Sequence, residues 1–317
     1  MKVHHELVGA LPEFRNAVVT IGTFDGVHKG HQQIIAQLKE EAQKIDGETV
    51  IITFNPHPRK IISSVPGDIK LLTTLSEKIS LLEQAGVDHL VVIPFDHAFA
   101  NQSAESYIKD FLYHYFKPKT VIIGYDHRFG KGRVGDYQLL EKYGADLGFN
   151  VKEISEELLH EITISSTRIR QSILHTEVET ANQLLGYPYF FKGVVIEGNK
   201  LGRTIGYPTA NLHIASEEKL IPGNGVYAVE IIFSSTLSVD STFSKKKGMM
   251  NIGIRPTIDG KKRVIEVNIF DFDQDIYGQT IEIAMLHYLR GEVKFNGMDE
   301  LKDQLHKDKI QAIELMP

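Results

Sequence analysis

The sequence predicts two folds in succession: an α/β half built on a parallel sheet, then a β half that ends in one helix. Two observations carry this. Up to about residue 184, apolar runs of strand length alternate with segments of helical period, the pattern of a parallel sheet with helices on its faces. From Tyr189 onward, β-branched runs are separated by glycine-rich loops, and no long helix recurs until the end of the chain. A length of 317 residues agrees with two domains.

In the first half, Val18, Val19 and Ile21 predict the first strand, and Ile34, Ile35 and Leu38 recur at helical spacing after it. Further strands are predicted over 48–54, 89–93, 120–124 and 150–154, with helices over 75–86, 103–115 and 136–147. Gly186 and Pro188 break a short helix, which places the domain boundary near 184–188 and gives domains 1–184 and 185–317. In the second half, strands over 190–197, 225–233, 249–254, 264–270 and 280–287 predict an antiparallel barrel or sandwich. Leu301, Leu305, Ile310 and Ile313 are the expected apolar stripe of the terminal helix. The Ser/Thr-rich stretch 234–247 reads as a mobile surface loop without chemistry.

Composition narrows the function. There are no cysteines, which excludes disulfides, thiolate metal sites and thiol catalysis. A net charge of -6 argues against a general nucleic-acid binder, while an ATP site needs only a local positive cluster. Met1 to Glu6 opens no apolar run of signal-peptide length, and no stretch approaches the length of a membrane helix. A soluble, cytoplasmic protein is expected, with no membrane or nucleic-acid partner and an oligomeric state that the sequence leaves open.

Gly22-Thr23-Phe24-Asp25-Gly26-Val27-His28-Lys29-Gly30-His31 joins the first predicted strand to the first predicted helix. Unpaired backbone N–H groups and the positive dipole end make such a helix start an anion site. The glycines admit close backbone approach. His28 and His31, one turn apart, offer imidazole N–H groups to charge developing on a phosphoryl oxygen. The His-x-Gly-His core alone is equally consistent with a capped helix and two surface histidines, but Phe24-Asp25-Gly26 in front makes the run more specific.

Three later segments add to it. Asn55-Pro56-His57-Pro58 follows a predicted strand and so falls at the sheet edge where ligands of open α/β sheets bind, although taken alone a proline-stiffened loop is the better account. Gly124-Tyr125-Asp126-His127-Arg128-Phe129-Gly130-Lys131-Gly132 falls on the same edge. It is not a Walker A loop, because the glycine spacing is one residue too long and Gly132 stands where Ser or Thr would bind magnesium. Its Arg128, Lys131 and Arg133 suit phosphates, Phe129 a flat ring, and Asp126 a hydrogen-bond donor. Ser165-Ser166-Thr167-Arg168-Ile169-Arg170 reads as a helix N-cap and also as hydroxyls and arginines around an anion.

The strongest signal of the second half is Gly198-Asn199-Lys200-Leu201-Gly202-Arg203-Thr204-Ile205-Gly206-Tyr207-Pro208-Thr209-Ala210-Asn211. Gly198, Gly202 and Gly206, four apart, give a loop able to wrap phosphates with backbone N–H groups, and Lys200 and Arg203 add charge. Thr209 and Asn211 present neutral oxygens that suit Mg²⁺. In Val264 to Phe270, alternation puts Ile265, Val267 and Ile269 on one face and Glu266 with Asn268 on the other. A glycine-rich corner and a solvated strand carboxylate remain the plain alternatives.

Together these segments resemble the bacterial bifunctional riboflavin kinase/FAD synthetase family over nearly the whole chain and in its domain order. The segments 248–257, 275–278 and 289–295 are similar to that family as well. The resemblance implies a Rossmann-like nucleotidylyltransferase domain followed by an antiparallel Greek-key β-barrel kinase domain with a C-terminal helix. It implies phosphorylation of riboflavin to FMN in the second domain and adenylylation of FMN to FAD in the first, both with ATP and Mg²⁺. Gly22, Phe24, His28, His31, Ser166, Thr167 and Arg170 would bind ATP, with His28 and His31 catalytic. Asn55, His57, Asp126, Arg128 and Phe129 would lie on the FMN side. In the kinase domain, Gly198, Lys200, Gly202, Arg203, Gly206 and Thr209 would bind ATP phosphates, and Thr209 and Asn211 the metal. Glu266 would be the general base, with Arg290 and Phe295 near the flavin.

Overall fold

The computed structural model describes residues 1–5, 7, 11–62, 69–125, 127–154, 165–198, 201–233, 245–257 and 260–316. Asp126, Lys200 and most of the 234–247 loop lie outside the described residues. The chain divides into two compact units, Met1–Ser166 and Thr167–Pro317.

The first unit is built on six parallel strands: β1 (Lys2–His4), β2 (Val18–Ile21), β3 (Thr49–Phe54), β4 (His89–Ile93), β5 (Thr120–Gly124) and β6 (Asn150–Ile154). Their order in the sheet is β1-β4-β3-β2-β5-β6. Strand order reverses between β2 and β5, and the crevice beyond the carboxyl ends of strands at such a reversal is where doubly wound sheets bind ligands. Both faces of β2 to β5 are buried, which is why these four read as nearly unbroken apolar runs, whereas the edge strands β1 and β6 are more exposed. Val19, Ile21, Val50, Ile52, Val121 and Ile123 face a core shared with Tyr107, Ile108, Phe111 and Leu140. Val18, Ile51, Leu90 and Ile122 face the other, shared with Ile35 and Leu38 of the helix Lys29–Lys44 and Leu82 of the helix Leu75–Gln84.

The predicted helix 103–115 is helical throughout but changes pitch, with a π-helical stretch over Tyr107–Tyr113 between short α segments. Strand β1 was not anticipated; three residues are too few to show a period, and only pairing with β4 creates it.

The second unit is a closed antiparallel barrel of β7 (Phe190–Ile196), β8 (Ala210–His213), β9 (Gly225–Phe233), β10 (Lys245–Thr257), β11 (Gly260–Ile269) and β12 (Thr280–Arg290). Strands β9, β10 and β11 follow one another as hairpins, and β12 returns beside β9, the Greek-key order. Strand β8 was not anticipated. Its four residues hold their place by pairing with β7 and β11 rather than by any pattern of their own.

The terminal helix Met298–Leu315 packs on the outer face of the barrel, with Leu305, Ala312 and Met316 against Ala228, Met249 and Phe270. The predicted stripe is corrected here: Leu301 and Leu305 are partly buried, but Ile310 and Ile313 are both 45% exposed. Ala312 and Asp308 occupy the inward face instead, so the apolar count misled where a small residue and a carboxylate were the ones buried.

Candidate active sites

In the first unit, Gly22 follows β2 and begins a turn that ends at the helix Lys29–Lys44. Gly26 adopts φ +85°, a conformation costly for any residue with a Cβ. His28 is the N-cap, and its Nδ1 accepts a hydrogen bond from the His31 N–H at 3.4 Å. The two imidazoles stack with centroids 3.7 Å apart, and Phe24 lies 4.9 Å from the His31 ring. His31 Nδ1 is shut off from solvent with no hydrogen-bond partner among the described residues. Burial, then the charges of His28 and Lys78, holds the His31 imidazole well below its usual pKa. His31 is therefore neutral near pH 7.

The turn is held from below by residues that sequence reasoning did not select. Asp25 is buried and accepts from the Leu72 N–H (3.2 Å), the Thr73 N–H (3.1 Å) and the Thr73 hydroxyl. The Gly26 N–H donates to the Thr73 hydroxyl. Lys78, 7% exposed, donates to the Thr53 hydroxyl at 3.3 Å, which in turn donates to the Thr23 carbonyl. Burial pushes the Lys78 ammonium down to about 8 although Asp25 opposes the shift. One signal was available for Lys78: it stands among Leu75, Ile79 and Leu82 on an apolar helical stripe.

Ser166 comes to the same turn from far along the chain, its hydroxyl donating to the Asp25 carbonyl at 3.0 Å. Thr167 and Arg170 follow on the helix Ser166–Leu174. Asn55 sits exposed just past β3, and His57 is buried with Nδ1 accepting from the Arg59 N–H. Past β5, Arg128 pairs with Asp136 at 3.0 Å, the N-cap of the helix Tyr137–Leu147. Phe129 is 5% exposed and stacks on Tyr107 at 4.9 Å, and its backbone pairs with Gly135. Its ring thus fixes the base of the loop in the core, whereas the sequence reading offered it to a ligand.

In the second unit a cavity of about 290 Å³ gathers Gly202, Thr209, Glu266, Arg290 and Phe295, five residues selected from widely separated motifs. Tyr207, Met249, Asn251, Asn268 and Glu292 line it too and were not selected. In register, Glu266 of β11 lies between Asn211 of β8 and Asn251 of β10, so three polar side chains form a row across the barrel face. The alternation placed Glu266 and Asn268 on one face correctly. That face is the cavity wall rather than open solvent.

The Asn268 amide donates to the Pro208 carbonyl at 2.7 Å and anchors the segment that carries Thr209 and Asn211. Gly202 packs against the Tyr207 carbonyl so closely that a methyl group would collide with it, and the Tyr207 N–H donates back at 2.8 Å. Gly198 stands against the Asn211 amide, and Gly206 turns the loop at φ +82°. Arg203 is exposed and reaches the Tyr277 hydroxyl at 3.4 Å. Arg290 is paired with buried Asp308, and its guanidinium lies 5.9 Å from the Phe295 ring centroid. The cavity therefore offers two carboxylates, Glu266 and Glu292, neutral amides, and a flat cation with an aromatic ring.

Two family descriptions match the chain, FAD synthetase over residues 11–168 and riboflavin kinase over residues 185–316. The bifunctional riboflavin kinase/FMN adenylyltransferase of Escherichia coli (strain K12) is 36% identical over 297 residues, covering 94% of this chain and 92% of the relative. The enzyme of the same name from Listeria monocytogenes serovar 1/2a is 40% identical over 295 residues, covering 93% and 90%. A crystal structure from Streptococcus pneumoniae, described as a macrolide-efflux protein, shares 34% identity and a TM-score of 0.83, covering 94% of both chains. Among the described residues, no helix of this chain is long and apolar enough to cross a membrane.

Proposed function

The chain belongs to the bifunctional riboflavin kinase/FMN adenylyltransferase family, and from that premise we propose how its residues divide the two reactions. It is a transferase with an N-terminal FAD synthetase domain and a C-terminal riboflavin kinase domain. We assign residues 1–184 to the first and 185–317 to the second. Its partners are small molecules, ATP and flavins; nucleic acid has no part in the proposal, and a cytoplasmic setting follows from the need for ATP at both steps.

In the kinase domain, Glu266 takes the proton of the riboflavin 5′-hydroxyl as that oxygen attacks the γ-phosphorus of ATP, and the bond from the γ-phosphorus to the leaving ADP breaks. The observation that carries this reading is the cavity that joins Glu266 and Thr209 to Arg290 and Phe295. The segment from Gly198 to Gly206, helical over Leu201–Thr204, receives the phosphates, with Arg203 and Lys200 supplying charge. The donor set beside Glu266 fits Mg²⁺, since the Thr209 hydroxyl and the Asn211 carbonyl are hard, neutral oxygens. When bound there, Mg²⁺ neutralises phosphate charge.

In the FAD synthetase domain, a phosphate oxygen of FMN attacks the α-phosphorus of ATP, and the bond to the leaving pyrophosphate breaks. The turn from Gly22 to His31 receives the ATP phosphates at the switch point of the sheet. His28, the N-cap whose Nδ1 accepts the His31 N–H, is set against an ATP phosphate oxygen. His31, neutral by burial, contributes a hydrogen bond rather than a formal charge. Ser166, whose hydroxyl reaches the Asp25 carbonyl, completes the ATP side, and Asn55, His57, Arg128 and the loop stabilised by Phe129 form the FMN side.

Incubation with riboflavin, ATP and Mg²⁺, with flavins resolved by chromatography, tests the division. Glu266→Gln is expected to lower FMN formation by about 10²–10⁴-fold while FMN is still converted to FAD. Equal loss of both activities would overturn the two-site assignment.

A further inference from the structure

Asp308 is 1% exposed on the inward face of the terminal helix, between Leu305 and Ala312, where an apolar side chain would pack. Its carboxylate is saturated. Arg290 Nε donates to Oδ1 at 2.9 Å and to Oδ2 at 3.1 Å, Arg290 Nη2 donates to Oδ2 at 2.6 Å, and Gln304 Nε2 donates to Oδ1 at 2.8 Å. The remaining Arg290 Nη1 donates to the Gly291 carbonyl at 2.9 Å. A buried pair of this kind contributes little net stability over a hydrophobic substitute, so its geometry asks for another reason. Arg290 also follows a register shift between Tyr288 and Arg290 in the pairing of β12 with β9, the sort of irregularity that re-aims a side chain.

We infer that Asp308 is a positioning residue for flavin binding: it fixes the plane of the Arg290 guanidinium beside Phe295 so that the two form a ready seat for a flat conjugated ring. This rests on the reading above that the cavity takes riboflavin. A guanidinium held at two points cannot rotate about its own axis, and its broad face is what stacks on an extended ring system. The terminal helix thus belongs to the substrate site and not only to the barrel's packing.

Kinetics of the full-length protein test this. Asp308→Asn is expected to raise the KM for riboflavin about tenfold, with kcat and the KM for ATP within about twofold and FMN adenylylation unchanged. Arg290→Met is expected to raise the riboflavin KM as well, and the double variant no further, because Asp308 acts only through Arg290. If Arg290→Met and Phe295→Ala both leave the riboflavin KM unchanged, the flavin reading of the cavity fails. If Arg290→Met raises it and Asp308→Asn does not, that reading stands and the role of Asp308 falls. Should Asp308→Asn unfold, Arg290→Lys retains the charge but not the two-point contact; a raised riboflavin KM supports the inference and an unchanged one overturns it.

Discussion

Burial of the Lys78 ammonium links the stability of the first unit to pH in a definite direction. Unfolded, the group titrates near 10.5; folded, at about 8. The cost of burying the charge, about 3 kcal/mol for such a difference, is present in full below pH 8 and disappears as pH rises toward 10.5. Asp25 keeps three donors from Leu72 and Thr73 without it. Lys78→Met is therefore expected to stabilise the protein against urea at pH 7 and to give little gain at pH 10; an equal gain at both would contradict a buried charge. His31 shows the same sign in a lower window. Its folded pKa is depressed, so its contribution is complete above pH 6.5, the unfolded value, and is lost as pH falls through the folded one. His31→Gln should flatten the acid limb of stability between pH 7 and pH 5, and an unaltered limb would mean His31 is not buried neutral. Both residues are visible in the sequence, but their environments are assembled from β2, β3 and the 75–84 helix.

The elements carry their own tests. Ala312, fully buried against Ala228, Met249 and Phe270, leaves no room for a larger side chain. Ala312→Leu is expected to destabilise the second unit by about 1–3 kcal/mol, and Ile313→Ser, on the exposed face, to change stability by less than about 0.5 kcal/mol. Thermal melts of the two variants decide the helix register, and the reverse ranking would restore the stripe through Ile310 and Ile313. At the helix Leu75–Gln84, a capping box joins Thr74 and Glu77, with the Thr74 N–H donating to Glu77 at 2.8 Å. Thr74→Ala is expected to cost about 1 kcal/mol in urea unfolding. Long elements were legible because their period repeats several times. Strands β1 and β8 were not, because three or four residues acquire a direction only from the neighbours they pair with.

Over the whole molecule, two chemistries on two units imply separable lesions. His28→Ala is expected to reduce FAD formation by at least about 10²-fold while FMN continues to accumulate from riboflavin. Loss of FMN formation as well would argue against independent sites, and the same chromatogram reads both. The sequence by itself determined the two-part architecture, the glycine-rich segments Gly22–His31 and Gly198–Gly206, and the carboxylate at Glu266. Each of these is local: a period, a spacing of glycines, or an alternation along one strand. Tertiary structure alone decided which distant polar groups share one desolvated place. Strand order brings Asn211 and Asn251 to either side of Glu266. The terminal helix sets Asp308 against Arg290, and the 75–84 helix sets Lys78 beneath the turn with the histidines. The physical reason is that a charge far apart in sequence from its partner leaves no periodic trace, and only burial in a common site makes the pairing necessary.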